Sequence, residues 1–239
     1  MVSENNPSAW RGSRKDGESR KGKSALVLCS GGVDSVTALY WAKRRYDCIE
    51  AITFNYGANH NKRERAGLFA VCARENVKAM VINLPLGKYF KSSLLAGADK
   101  IPEGHYAADN MKSTVVPFRN GIMLSFAAGY AESNGFDAIV LGNHGGDHTI
   151  YPDCRPEFID AIAETIKNGT WCKVKVLSPF CDKTKADIVR LGARLGVPYG
   201  LTYSCYKGGK RHCGKCATCV ERKEAFVLAK VPDPTEYEA

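Results

Sequence analysis

The sequence predicts an α/β fold: a mainly parallel sheet with helices on both faces, followed by a small C-terminal metal knot. Three observations carry this expectation. Short apolar runs alternate with longer segments of helical spacing along most of the chain. A Gly-Gly turn, Ser30-Gly31-Gly32-Val33-Asp34-Ser35, lies directly between the first apolar run and the first helical one. Four cysteines, Cys205, Cys213, Cys216 and Cys219, cluster near the end with the spacing C-x7-C-x2-C-x2-C. In sheets of this kind ligands sit beyond the carboxyl ends of the strands.

Taken in order, residues 1–23 are polar and hold six Lys/Arg against three Asp/Glu; they lack the apolar stretch of a signal peptide and read as a disordered leader. Strands are expected at 25–29, 49–54, 79–84, 138–141 and 174–177, where the pattern is continuously apolar or alternates. Helices are expected at about 34–46, 60–76, 120–134, 156–167 and 183–195, with one closing helix in the segment VERKEAFVLA. The stretch 86–115 breaks the rhythm and reads as a lid or insertion over the site. The expected organisation is therefore a leader at 1–23, an α/β domain at 24–200, and a metal-binding subregion with its closing helix at 201–230.

Composition narrows the class. With 239 residues, 44% apolar and 25% charged, the chain suits one domain with a small appendage, and no run approaches the roughly 18 apolar residues that span a bilayer. A cytoplasmic protein without a membrane role is expected. The net charge of +9 suits a polyanionic ligand; no basic helix stripe or aromatic RNA-binding signature argues for nucleic acid. Of the ten cysteines, Cys29 and Cys48 lie in strand patterns and read as small core residues. The four clustered thiolates can close a tetrahedral shell, which points to structural zinc, with an iron–sulfur cluster as the chemical alternative.

The turn after the first strand has the composition of a phosphate cradle. Gly31 and Gly32 permit a tight turn, the amides that follow converge on a helix amino terminus, and Ser30 and Ser35 can add hydroxyl donors. Asp34 would hold magnesium or cap the helix. No GKS or GKT follows, so the turn is not a Walker A loop. Arg119 and Arg155 each offer a planar fork for carboxylate or phosphate, and Asn120 offers both donor and acceptor; local salt bridging is the bland alternative. Asp153 could read the ring N–H and exocyclic amine of a heterocycle or orient Arg155. Lys185, at the start of ADIVRLGARL, could compensate phosphate charge or lie on the surface. His60 and Glu64 could reach the strand-end crevice or simply pair along their helix.

Through SGGVDS the chain resembles the PP-loop ATP pyrophosphatase superfamily. The further series Asn55-Tyr56-Gly57, Val116-Pro117-Phe118-Arg119-Asn120, Tyr151-Pro152-Asp153-Cys154-Arg155-Pro156-Glu157-Phe158, Pro179-Phe180, Lys185 and Thr202-Tyr203-Ser204-Cys205-Tyr206 is similar to the 7-cyano-7-deazaguanine synthase family across nearly all of residues 25–229. The resemblance implies ATP as cosubstrate, split between its α and β phosphates, with magnesium and a structural zinc. It implies a deazapurine carboxylate and ammonia as the other substrates, and a homodimer. By this resemblance Asp34, Arg119 and Lys185 are catalytic; Ser30, Gly31, Gly32, Asp34, Ser35 and Lys185 hold ATP; Tyr56, His60, Arg119, Asn120, Asp147, His148, Asp153 and Arg155 hold the second substrate. Two departures stand out: Ala58-Asn59 replaces a Gln-Arg pair before His60, and Asn143 to Ile150 replaces an Asp-Tyr-Ser-Gly loop. Asp147 and His148 could take over recognition or acid–base work there. The altered loops leave two rivals: a relative that joins the same carboxylate to a protein amine, and a tRNA-modifying PP-loop enzyme.

Overall fold

A computed structural model describes residues 22–95, 101–105 and 109–238, so the expected leader lies outside the described residues except for its last two. Five strands form one parallel sheet: β1 (Ser24–Leu28), β2 (Cys48–Asn55), β3 (Lys78–Asn83), β4 (Ala138–Val140) and β5 (Lys175–Leu177). Their order is β3-β2-β1-β4-β5, with Val27 opposite both Ala51 and Val140. Six α-helices accompany them: α1 (Val33–Lys43), α2 (Asn61–Glu75), α3 (Arg119–Ser133), α4 (Pro156–Gly169), α5 (Lys185–Leu195) and α6 (Ala217–Ala229). Among the described residues no helix is long and apolar enough to cross a membrane.

Strand alternation sorts the core into two layers. Ala25, Val27, Ala51 and Val140 pack with α1, α2, α5 and α6, whereas Leu26, Ile52, Phe54 and Ile139 pack with α3 and α4. Both faces are covered, which is why the strands read as continuous apolar runs. Local chemistry fixes the helix ends. α5 opens with a reciprocal cap in which Thr184 Oγ1 accepts from Asp187 N and Asp187 Oδ2 from Thr184 N, both at 3.2 Å, and closes on Gly196 at φ +79°. α6 packs into the same core as α1 and α5.

The stretch expected as a lid or insertion is packed in part where it is described. Leu86, Leu94 and Leu95 join the α3/α4 layer, and Met111 joins a small cluster with Ile150, Tyr151 and Ala217. Residues 96–100 and 106–108 lie outside the described residues. Because β1 is central and the chain turns outward from it in both directions, the crevice beyond β1 and β4 is the topological switch point where this architecture binds ligands.

Candidate active site

The cleft opens beyond the carboxyl ends of β1, β2 and β4, and the Gly-Gly turn forms its floor. Gly31 holds φ +108°, and a Cβ there would come within 2.1 Å of Glu64 O, so α2 can approach the turn only over glycine. A Cβ on Gly32 would meet nothing closer than 3.5 Å within the protein, which leaves that position open toward the cleft. Ser35 Oγ accepts from Ser30 N at 3.2 Å and Gly31 N at 3.3 Å and donates to Gly32 O at 3.2 Å. Ser30 Oγ accepts from Gly32 N at 3.2 Å. The two hydroxyls expected as ligand donors therefore knit the turn itself. The first-turn N–H groups of α1 have no partner within the helix, which leaves the turn's end of the helix able to receive an anion.

Above that turn lies a charge cluster drawn from four parts of the chain. Lys185 Nζ lies 3.0 Å from Asp34 Oδ2 and 2.7 Å from Glu221 Oε2. Burial opposes the lysine's charge, but Asp34, Glu221 and Asp147 hold its pKa well above the ordinary value. His144, almost fully buried, accepts at Nδ1 from Gly146 N at 3.0 Å, which leaves Nε2 as the nitrogen able to donate. That Nε2 lies 3.7 Å from Asp147 Oδ1, 3.8 Å from Glu221 Oε1 and 4.0 Å from Asp34 Oδ2. Burial raises the pKa of Glu221, with Lys185 pulling the other way. Asp34 Oδ1 is buried without a hydrogen-bond partner, the kind of orphaned oxygen a divalent cation satisfies.

Across the cleft, Arg119 at the start of α3 donates to Tyr56 Oη at 3.3 Å and stands over the rings of Tyr56 and Tyr151 at 5.6 and 5.9 Å. Among the described residues no carboxylate lies within salt-bridge distance of this guanidinium. Asn120, beside it, donates from its backbone to Asp153 Oδ2 at 2.7 Å and from its side chain to Cys154 Sγ at 3.1 Å. His60 sits behind Arg119, with Nε2 3.7 Å from Glu64 Oε2 and 3.4 Å from Tyr56 Oη. Burial, aided by Arg119, pushes the His60 pKa down to about 4.

The four cysteines form a buried cluster whose sulfurs all lie within 4.8 Å of one another. Backbone amides support them: Cys213 N donates to Cys205 Sγ at 3.4 Å and Cys216 N to Cys213 Sγ at 3.3 Å. This donor set fits a closed structural metal site, since four thiolates leave no position for a water. His212 is not a fifth donor, because its Nε2 accepts from Ser204 N at 2.9 Å. Tyr203 belongs to the same apolar cluster as the cysteines, and Thr218 Oγ1 donates to Ser204 O at 2.7 Å. Tyr203, Ser204, Tyr206 and Thr218 all line the cleft, so the metal knot is one of its walls.

Of the residues expected from sequence, Ser30, Gly32, Asp34, Ser35, Arg119, Asn120, Asp147 and Lys185 meet in this cleft. Gly31 shapes its floor, and Tyr56 and His60 back Arg119. His148, Asp153 and Arg155 do not line it. Asp153 Oδ2 accepts from Asn120 N at the amino terminus of α3, and Arg155 Nε donates to His148 O at 3.0 Å. His148 Nε2 lies 3.7 Å from Cys181 Sγ. Two residues of the charge cluster escaped the sequence reading, His144 and Glu221. The first has a local signal, since His144 and Asp147 cap their short turn reciprocally. The second has none, because α6 brings it in from beyond the cysteines.

Residues 24–230 match the family model of queuosine biosynthesis protein QueC. The 7-cyano-7-deazaguanine synthase of Porphyromonas gingivalis is 52% identical over 217 residues, covering 90% of this chain and 98% of that protein. The synthase of Desulfotalea psychrophila is 48% identical over 214 residues, covering 89% and 98%. That of Mesorhizobium japonicum, named 7-cyano-7-deazaguanine synthase 1, is 45% identical over 220 residues, covering 90% and 94%.

Proposed function

The chain belongs to the QueC family of queuosine biosynthesis proteins, and on that premise we propose how its cleft carries out the family's reaction. The enzyme is an ATP-dependent carbon–nitrogen ligase that converts 7-carboxy-7-deazaguanine and ammonia to 7-cyano-7-deazaguanine through adenylated intermediates. One observation carries the assignment of roles: the phosphate turn with its Lys185 cluster faces the same cleft as the guanidinium of Arg119, which among the described residues has no carboxylate within salt-bridge distance.

The amino terminus of α1 and Lys185 bind the ATP phosphates, with Lys185 held charged and in place by Asp34 and Glu221. Arg119 binds and orients the substrate carboxylate, which its tyrosine surround shields from water. A carboxylate oxygen then attacks the α-phosphate and pyrophosphate leaves. Ammonia displaces AMP to form the amide, and a second activation of the amide oxygen allows dehydration to the nitrile. Holding two anions in one geometry against fixed cations is the physical source of the acceleration. Asp34 would hold magnesium through its partnerless Oδ1, and the ion when bound offsets charge on the phosphates. Cys205, Cys213, Cys216 and Cys219 would hold zinc, which supplies closure of the cleft wall.

Purified protein given 7-carboxy-7-deazaguanine, ATP, magnesium and ammonium is expected to release AMP and pyrophosphate and to form first the amide and then the nitrile, without added protein or RNA. Mass spectrometry follows both products. Absence of substrate-dependent pyrophosphate release from folded, metal-loaded protein would overturn the reading.

A further inference from the structure

The reaction just assigned makes a demand that the phosphate-binding residues do not meet. The nitrogen enters as ammonia with three hydrogens and ends in a nitrile with none. One proton leaves when ammonia displaces AMP from the acyl adenylate. Two more leave in the second stage: the amide oxygen takes the adenylyl group, the nitrogen loses a proton, and a final N–H proton departs as the C–O bond breaks. In that last step the N–H electron pair becomes part of the C≡N bond, and the C–O pair leaves with AMP. A base beside the reacting carbon is required for each removal.

Most titratable groups of the cleft are already committed. Asp34 and Glu221 are ion-paired to Lys185 at 3.0 and 2.7 Å. His144 uses Nδ1 to accept from Gly146 N at 3.0 Å. Asp147 Oδ2 accepts from His144 N at 3.2 Å as part of the turn's cap. Glu64 is held less tightly: its Oε2 lies 3.7 Å from His60 Nε2, and among the described residues no lysine or arginine stands within salt-bridge distance of it. It lines the cleft from the first turn of α2, and its side chain is only 15% exposed. Its Oε1 lies 3.8 Å from where a Gly32 Cβ would stand, so it borders the open side of the phosphate turn. Arg119 lines the same cleft, and its charge and the Ser30 hydroxyl both favour the ionised form of Glu64.

We propose that Glu64 is the general base that takes these protons from the nitrogen, a role that rests on the reaction assigned above. Burial pushes the Glu64 pKa up to about 7, against Arg119 and the Ser30 hydrogen bond, which suits a base working near neutrality. The groups that face it titrate elsewhere. His60, which caps the same helix, is pushed down to about 4 and Cys29 of the turn up to about 12; burial also raises Tyr56, and Arg119 stays charged. A rate limb near pH 7 therefore belongs to Glu64 among them.

The test compares wild type and Glu64→Gln, which keeps the side chain's shape, with both proteins first checked by thermal melting. Pyrophosphate release from 7-carboxy-7-deazaguanine and ATP is followed separately from conversion of the amide to the nitrile, at pH 6 to 9 (about one pH unit below and two above the limb). Wild-type nitrile formation is expected to rise with pH through about 7. In the variant it should fall roughly 10²–10⁴-fold and lose that limb, while pyrophosphate release falls far less. Glu64→Ala should be partly rescued by added formate. Nitrile formation by Glu64→Gln at the wild-type rate would overturn the proposal. So would an equal fall in both half-reactions with the limb retained, since Glu64 would then only shape the turn. Wild type that releases no substrate-dependent pyrophosphate would instead overturn the reaction assignment beneath it.

Discussion

Asp34 shows how much of a site a single residue discloses in sequence. Its place after Gly-Gly marks it as a phosphate-site residue, yet the sequence leaves open whether it caps α1 or holds a cation. In the structure Gly32 is the cap residue, and Asp34 turns one oxygen to Lys185 and keeps the other partnerless. Asp34→Ala should therefore reduce substrate-dependent pyrophosphate release by roughly 10²–10³-fold, the scale of losing one charge-stabilising group. Lys185 keeps Glu221 as partner, so the melting temperature should move little. Near-normal pyrophosphate release by the folded variant would refute the role. Glu221 and Glu64 mark the opposite limit. Glu221 lies on a helix after the cysteines, and nothing in its neighbours forecasts a lysine that stands 36 residues earlier. Glu64 reads as the (i, i+4) partner of His60; only the close approach of α2 to Gly31 brings it to the phosphate turn.

At the level of elements, apolar periodicity located all five strands and six helices to within a few residues, because a sheet covered on both faces leaves an uninterrupted apolar run for each strand. The segments it handled less well are those governed by turn chemistry. The loop from Asn143 to Ile150 winds into a tight turn that points His144 and Asp147 inward and carries His148 to Cys181. The cysteine knot is the element whose loss should be felt furthest. Cys216→Ser removes a thiolate that is also the residue capping α6, the helix that carries Glu221. Metal content should fall below one ion per chain. The melting temperature should drop by more than about 10 °C, given roughly 2–4 °C per kcal/mol in a chain of this size and several kcal/mol for a structural metal. Full metal occupancy with unchanged melting would exclude the four-thiolate assignment.

For the molecule as a whole, the chain's end is tied to its centre through Arg222. This arginine on α6 is fully buried; its Nε and Nη2 donate to Asp233 Oδ1 at 3.2 and 3.1 Å, and its Nη1 donates to Thr202 Oγ1 at 2.8 Å. A helical charge reads as solvated in a sequence, and its burial follows only from the tail that folds over it. Asp233→Ala leaves a buried cation without its carboxylate and should cost roughly 3–5 kcal/mol, read as a lower urea midpoint. A loss under about 1 kcal/mol would show that the tail is dispensable. The strand order has a different kind of consequence. β1 is made first, yet one of its two flanking strands, β4, lies more than a hundred residues later; Ser24 N bonds to Asp137 Oδ2 across a separation of 113. During synthesis at roughly 5–20 residues per second that edge waits about 6 to 20 s for its partner. For that interval the nascent chain carries an open apolar strand edge at what will become its active site, and a ribosome-associated chaperone has its clearest target there.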